Sequence, residues 1–377
     1  MIRASLDGDV IASHGWDATS RLWDAATGRQ LMIATHGLAS GFDRSGTHLA
    51  FHREDMGFGI WEFQPGEGLR TIAVNRGQVG SVEFSPDSRL VLTADTRGWD
   101  LWDPKSGRRI ATAPLVDGRC ASFDGSGTAV LAFTGDELCR WPILAPEGTQ
   151  PPVSVGPMER IARDPGNRFS AIQLAAAGTA IVAAGRDRSL AIDLRQPNRR
   201  LVFAEQLPQE FLAVAPQGGW SATASFKGFG ALLWRQDVGF VRQLVTNDSA
   251  QLEFNPNGSL LAAASPNALR IFRTSDWSIQ RTEPLSIAGA YPGPVAFSPD
   301  GNLLAFSPDR REVRLVESTT FEERLTLHSP TAGSISRIRF SPDSRWLAVI
   351  EEGRVVRCWD LRRLREKLGS LGLDWAP

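Results

Sequence analysis

The side chains best suited to bind a metal or shuttle a proton are His14, His36, His48, His52 and His328. Zinc needs three or four ligands converging at about 2.0–2.3 Å. Only His14 and His52 fall at corresponding places in the chain, and two histidines do not make a site. The three cysteines, Cys120, Cys139 and Cys358, are too few and too scattered for a disulfide framework or a cysteine-rich zinc site. Asp7-Gly8-Asp9 and Asp300-Gly301 have the chemistry of tight turns, and calcium is not expected there. No Gly-x-Ser-x-Gly elbow and no Walker loop occurs. His52-Arg53-Glu54 has residue types found in phosphotransfer loops, but no Asp-Phe-Gly follows it. Gly57-Phe58-Gly59 and Gly228-Phe229-Gly230 are glycine pairs in turns, not phosphate loops opening a helix. The chain is therefore expected to be no enzyme, with no cofactor and no metal.

The elements that would position such residues come from a repeat. Phe84-Ser85-Pro86-Asp87-Ser88, Phe297-Ser298-Pro299-Asp300-Gly301 and Phe340-Ser341-Pro342-Asp343-Ser344 are nearly one phrase, and Phe254-Asn255-Pro256-Asn257-Gly258 is a variant. Weaker copies begin at Ala4, Phe42, Phe123, Leu174 and Val214, giving nine units spaced roughly 38 to 51 residues apart. That spacing is close to the ~40–45 residues of a four-stranded blade. In each unit a short apolar segment such as Val82-Glu83-Phe84 runs into the turn, where Pro fixes φ, Asp bonds its own backbone and Gly accepts positive φ. A second strand such as Leu90–Ala94 is apolar on both faces, as a strand between packed sheets must be. A third ends in Trp23, Trp61, Trp102, Trp141, Trp234 or Trp359, with Phe272 and Val316 as substitutes. A single such sheet cannot bury both faces, whereas sheets stacked around an axis can.

Arg21-Leu22-Trp23-Asp24, Leu101-Trp102-Asp103 and Cys358-Trp359-Asp360 resemble the strand endings of the WD-repeat β-propeller family, and the Phe-Ser-Pro-Asp-Gly turn is typical of its bacterial members. The resemblance covers about residues 1–361 and is weakest in the fifth and sixth units. It implies an all-β β-propeller of four-stranded antiparallel blades, about eight or nine of them. Of the polar network such repeats often carry, Asp17, six residues before Trp23, fits the pattern; Gly228 and Gly353 stand where an Asp belongs, and Asp193 where a Trp does.

Residues 1–361 are assigned to the propeller and 362–377 to a C-terminal helix and tail. Leu361, Leu364, Leu368 and Leu371 recur at helical spacing among Arg362, Arg363, Arg365, Glu366 and Lys367, so a short α-helix whose leucines cap the ring is expected. The tail resembles those of bacterial WD-repeat proteins fused to signalling domains. Nine units exceed the usual four to eight blades. A nine-bladed ring, eight blades with one unit absorbed, and the C-terminal part of a longer protein are all open, and one continuous toroid is the expectation. The last unit stops after its third strand, and the N-terminus opens directly in a first strand with no extra strand to complete that blade. The Pro-rich segment 142–168 is either a long divergent blade edge or a joint between two arcs.

Composition bounds the partners. The 41 Lys and Arg balance 42 Asp and Glu, for a formal net charge of -1, which gives no global basis for nucleic-acid binding. No apolar run approaches a membrane span. Asp7 and Asp9 fall where a leader's apolar stretch would sit, so a cytoplasmic location is expected. The turns between second and third strands should share one face, and their charges are mixed. The expected function is a non-catalytic interaction scaffold or regulatory module that docks an unidentified protein or peptide on a propeller face, as a monomer, without nucleic acid or membrane. The candidate binding face is Trp16, Arg53, Arg186, Arg188, Arg310 and Arg311: cations for an acidic contact and a Trp as an anchor. The alternative is a small-ligand or enzymatic propeller using its central channel. Trp23–Arg29 also resembles the blade phrases of quinone-cofactor dehydrogenases, but those enzymes carry adjacent cysteines that this chain lacks.

Overall fold

The computed structural model describes the chain except residues 1, 6–9, 16–18, 26–27, 29, 35–37, 44–47, 53–57, 63–68, 75–76, 117, 119, 145–153, 176–177, 179, 206–207, 227–229, 236, 290, 329–332 and 371–377. Side chains are additionally not described at 24, 30–34, 38–39, 58, 61–62, 203–205, 328 and 367–370.

The repeated turn works as its residues dictate. The Ser85 hydroxyl donates to Asp87 at 2.6 Å, and Asp87 accepts the Arg89 N–H while Ser85 Oγ accepts the Leu90 N–H. Ser298 with Asp300 and Ser341 with Asp343 repeat this pattern. The residue after the acid takes positive φ, 77° at Gly301 but also 60° at Ser88 and 56° at Ser344. Strand register then determines what each Trp meets. Trp102 lies opposite Val91, and its indole N–H donates at 2.9 Å to Thr93, two residues further along that strand. Trp234 donates to Thr223 at 2.8 Å and Trp23 to Ser13 at 2.7 Å in the same relation. Ala132 stands at that place opposite Trp141, and Val349 opposite Trp359.

Nine antiparallel sheets result, matching the nine repeat units. Sheet one spans residues 2–34, sheet two 38–62, sheet three 81–114, sheet four 121–163, sheet five 169–205, sheet six 211–245, sheet seven 251–284, sheet eight 295–328 and sheet nine 335–360. Strands consecutive in the chain are neighbours within each sheet, except in sheet four. In sheet four the long strand Glu137–Leu144 pairs with Glu159–Arg163 along its first half and with Ser154–Val155 along its second. The described part of the Pro-rich segment is thus a divergent blade edge. Sheet nine takes its fourth strand from Leu69–Ala73, whose Leu69 and Ala73 pair with Trp359 and Val355. The last unit is therefore completed from within the chain, by a strand whose Ile72 is buried opposite Val356.

The inner strands Ser81–Phe84, Ala121–Phe123, Phe169–Leu174, Phe211–Val214, Gln251–Phe254, Val295–Phe297 and Ile335–Phe340 touch in that order, and the last returns to the first. The hydrophobic core is divided in the same way, with one cluster at each interface between neighbours from sheet three round to sheet nine and back. Among the described residues this circuit runs through seven of the nine sheets, where one toroid of all the units was the expectation. Sheets one and two share a separate small core of Ala12, Leu22 and Leu49. The ring is smaller because sheet two's expected fourth strand is spent on sheet nine, which places sheet nine directly against sheet three.

The helix Leu361–Ser370 follows sheet nine at once. Asp360 caps it by accepting the Arg363 N–H at 3.1 Å, as an Asp at that position should. Leu361 is buried against sheets eight and nine and Leu364 packs beside it, so these leucines do cap the ring; Leu371 lies outside the described residues and the Leu368 side chain is not described.

Candidate functional site

Alternation along the inner strands sends every second side chain into the axis of the ring. In Ile335–Phe340 the pattern Ile-Ser-Arg-Ile-Arg-Phe buries Ile335, Ile338 and Phe340 between sheets and turns Arg337 and Arg339 inward. They meet Glu83, Gln173, Gln251 and Glu253 from other inner strands. Arg339 donates to Glu253 at 2.5 Å, and Gln251 donates to the Ser336 carbonyl at 2.8 Å. These contacts tie sheet seven to sheet nine across the axis, past sheet eight.

Burial pushes the Glu83 carboxyl up to about 7, against the opposing pull of Arg339 and the Ser122 hydroxyl. A carboxyl raised in the folded state stabilises the fold fully below its ordinary pKa of 4.5, and that contribution is lost as pH rises to about 7. Glu83→Gln is therefore expected to remove on the order of 1–3 kcal/mol of stability loss between pH 4.5 and 7.5. Urea unfolding of both proteins across this range checks it, and parallel pH profiles would contradict it. Asp360 titrates outside the window: burial raises it, the bonds from Arg345 and Arg363 outweigh burial, and its net pKa lies below the ordinary 3.8. Its contribution is lost only in acid.

Where the axis opens on the face carrying the turns between second and third strands, a cavity of about 420 Å³ forms. Its rim carries Tyr291, 58% exposed, and Phe226, 37% exposed, with ring centroids 5.6 Å apart. Phe226 also lies edge-on to Phe211 at 4.6 Å. The Arg310 guanidinium sits 5.3 Å from the Tyr291 ring, and its Nε donates to the Ile335 carbonyl at 2.8 Å. Arg337 forms part of the wall, 5.0 Å from the Phe211 ring. Burial, with the like charges of Arg339 and Arg310, brings Arg337 down to about 10. Glu210 and Glu352 also line the mouth, Glu210 accepting the Phe226 N–H at 2.9 Å. A smaller cavity of about 210 Å³ on the opposite face lies among Arg70, Lys105, Arg345 and Arg363 around Asp360.

Of the described residues marked as a binding face, Arg310 alone lines the mouth. Arg186 and Arg311 are exposed in turns, and Arg188 pairs at 2.8 Å with Asp164, in the connection between sheets four and five. Trp16 and Arg53 lie outside the described residues. Tyr291 and Arg337 were missed. The first was detectable as the single tyrosine of the chain, and the second from the alternation of its strand.

Among the described residues no group of three or more His, Cys, Asp or Glu is placed to hold a metal. Burial raises the Cys358 thiol to about 12, so it stays protonated. No helix among the described residues is long and apolar enough to cross a membrane.

The family description "WD domain, G-beta repeat" matches residues 321–360. The match begins just before the last strand of sheet eight and ends with the third strand of sheet nine, so the repeat bridges two blades. A search of curated proteins finds no match to the chain. WD repeats in general mediate protein interactions and are not enzymes. The chain therefore carries a WD repeat at residues 321–360, within an all-β architecture of antiparallel sheets of three to five strands of the kind that β-propellers are built from.

Proposed function

We propose that this protein is a non-catalytic interaction platform that docks a protein or peptide at the mouth of its central channel. The observation that carries this reading is the exposed group of Tyr291, Phe226 and Arg310 around the 420 Å³ cavity. Exposed aromatics beside an arginine are the residue types in which binding energy concentrates. The mechanism is geometric: loops from several blades meet at fixed spacing on a ring whose sheets are locked by their cores, so little ordering accompanies docking.

A photo-crosslinking residue at Glu352, on the rim, is expected to give a discrete protein adduct in extracts of the native cell. The same residue at Arg186, on the same face but off the mouth, should not. Tyr291→Ala should weaken the adduct about tenfold, the effect of losing ~1.4 kcal/mol, while leaving the melting temperature within a degree or two. Equal adducts from both positions, or indifference to Tyr291→Ala, would count against the mouth.

A further inference from the structure

Buried and half-buried arginines elsewhere in this protein have carboxylate partners. Arg357 pairs with Glu351, Arg345 with Asp360, Arg339 with Glu253 and Arg188 with Asp164. Arg310 and Arg337 depart from this. Among the described residues neither has a carboxylate within ion-pair distance; Arg310 is held by a carbonyl and the Tyr291 ring, and Arg337 donates to the Ser336 carbonyl at 3.0 Å beside Phe211. Both reach the same cavity. Arg310 also takes φ of 66°, a left-handed conformation that costs energy in a residue with a long side chain. A cation enclosed without a counter-ion is expensive, and the lowered pKa of Arg337 reflects that cost.

We propose that the mouth binds a single carboxylate of a peptide between Arg310 and Arg337, with an apolar neighbour of that carboxylate against Phe226 and Tyr291. This specifies the partner chemistry of the interaction reading above and rests on it. A carboxylate supplies the missing counter-charge and accepts guanidinium hydrogen bonds in a geometry suited to arginine. Glu210 and Glu352 line the same cavity, so a monoanion is accommodated where a phosphate dianion meets their repulsion. The aromatic pair stands at the rim, where a side chain next to the carboxylate would lie.

The test uses defined probes with the full chain: N-acetyl-Phe-Asp-amide, its Asn analogue and its phosphoserine analogue, titrated calorimetrically at pH 7.5 and low salt. The Asp peptide is expected to bind at least tenfold more tightly than the Asn peptide and more tightly than the phosphoserine peptide. Arg337→Met and, separately, Arg310→Met should each abolish the Asp preference, with melting temperatures no more than a few degrees below the parent's. Equal affinity for Asp and Asn, no binding of either up to 10 mM, tighter binding of phosphoserine, or an Asp preference that survives in both folded variants would overturn the proposal. A mouth-specific adduct at Glu352 together with any of these results would leave the interaction reading standing and remove only the carboxylate.

Discussion

Arg357→Met is expected to destabilise the protein by about 3–5 kcal/mol, the cost of leaving one partner of a buried ion pair unmatched. Arg357 is 1% exposed and Glu351 3%, with Nε and Oε2 3.3 Å apart. Arg357 also donates to the Thr71 hydroxyl, which lies on the strand that completes sheet nine. Removing the guanidinium takes away that bond and the ion pair, while the Glu351 carboxyl stays in the core. A loss of this size is a large part of the 5–15 kcal/mol by which a typical domain is stable. Adding Glu351→Gln should restore most of the loss, because a neutral amide is far cheaper to bury than a carboxylate. Chemical denaturation of the two single variants and the double variant measures the coupling. A single-variant cost under ~1 kcal/mol would mean that the pair does not hold the ring closed.

Trp99→Ala is expected to cost about 3–5 kcal/mol through the cavity it leaves. Trp99 has no exposed surface and lies between sheets three and four, edge-on to Trp141 with centroids 5.8 Å apart. Its indole N–H has no hydrogen-bond partner among the described residues. Trp99→Phe removes that buried, unsatisfied donor along with some volume, so its cost should be about 1 kcal/mol or less. The comparison separates volume from polarity. Equal costs for the Ala and Phe variants would show that the volume lost between them does not set the cost. Either loss should appear as a lower denaturation midpoint with an unchanged slope.

Several readings of the sequence hold in the structure because they depend on near neighbours. The Ser-Pro-Asp turns form from groups within five residues of each other. Asp193 does not occupy the place of a third-strand Trp, as its spacing suggested: the register puts buried Ile192 there, opposite Ile181, because Leu174, Ile181 and Ile192 align as Phe84, Val91 and Trp102 do. The candidate site was less legible. Its rim comes from loops of separate blades, and neither Tyr291 nor Phe226 belongs to the repeated phrase. Arg188 looked available as a turn cation because Asp164, its partner, is 24 residues away in another element.

The sequence by itself determined the repeat, the turn chemistry, the antiparallel sheets and the capping helix, since each is encoded by residues a few positions apart. Only the tertiary structure decided which sheets form the ring and where it opens. The Leu69–Ala73 strand pairs with Val355–Asp360, with Thr71 and Arg357 separated by 286 positions. Local pattern is the same whether that strand completes its own sheet or a distant one. Burial of Ile72 and a hydroxyl partner for Arg357 favour the distant choice, and it brings sheet nine against sheet three. The same closure gathers Arg310, Arg337, Phe226 and Tyr291 around one cavity.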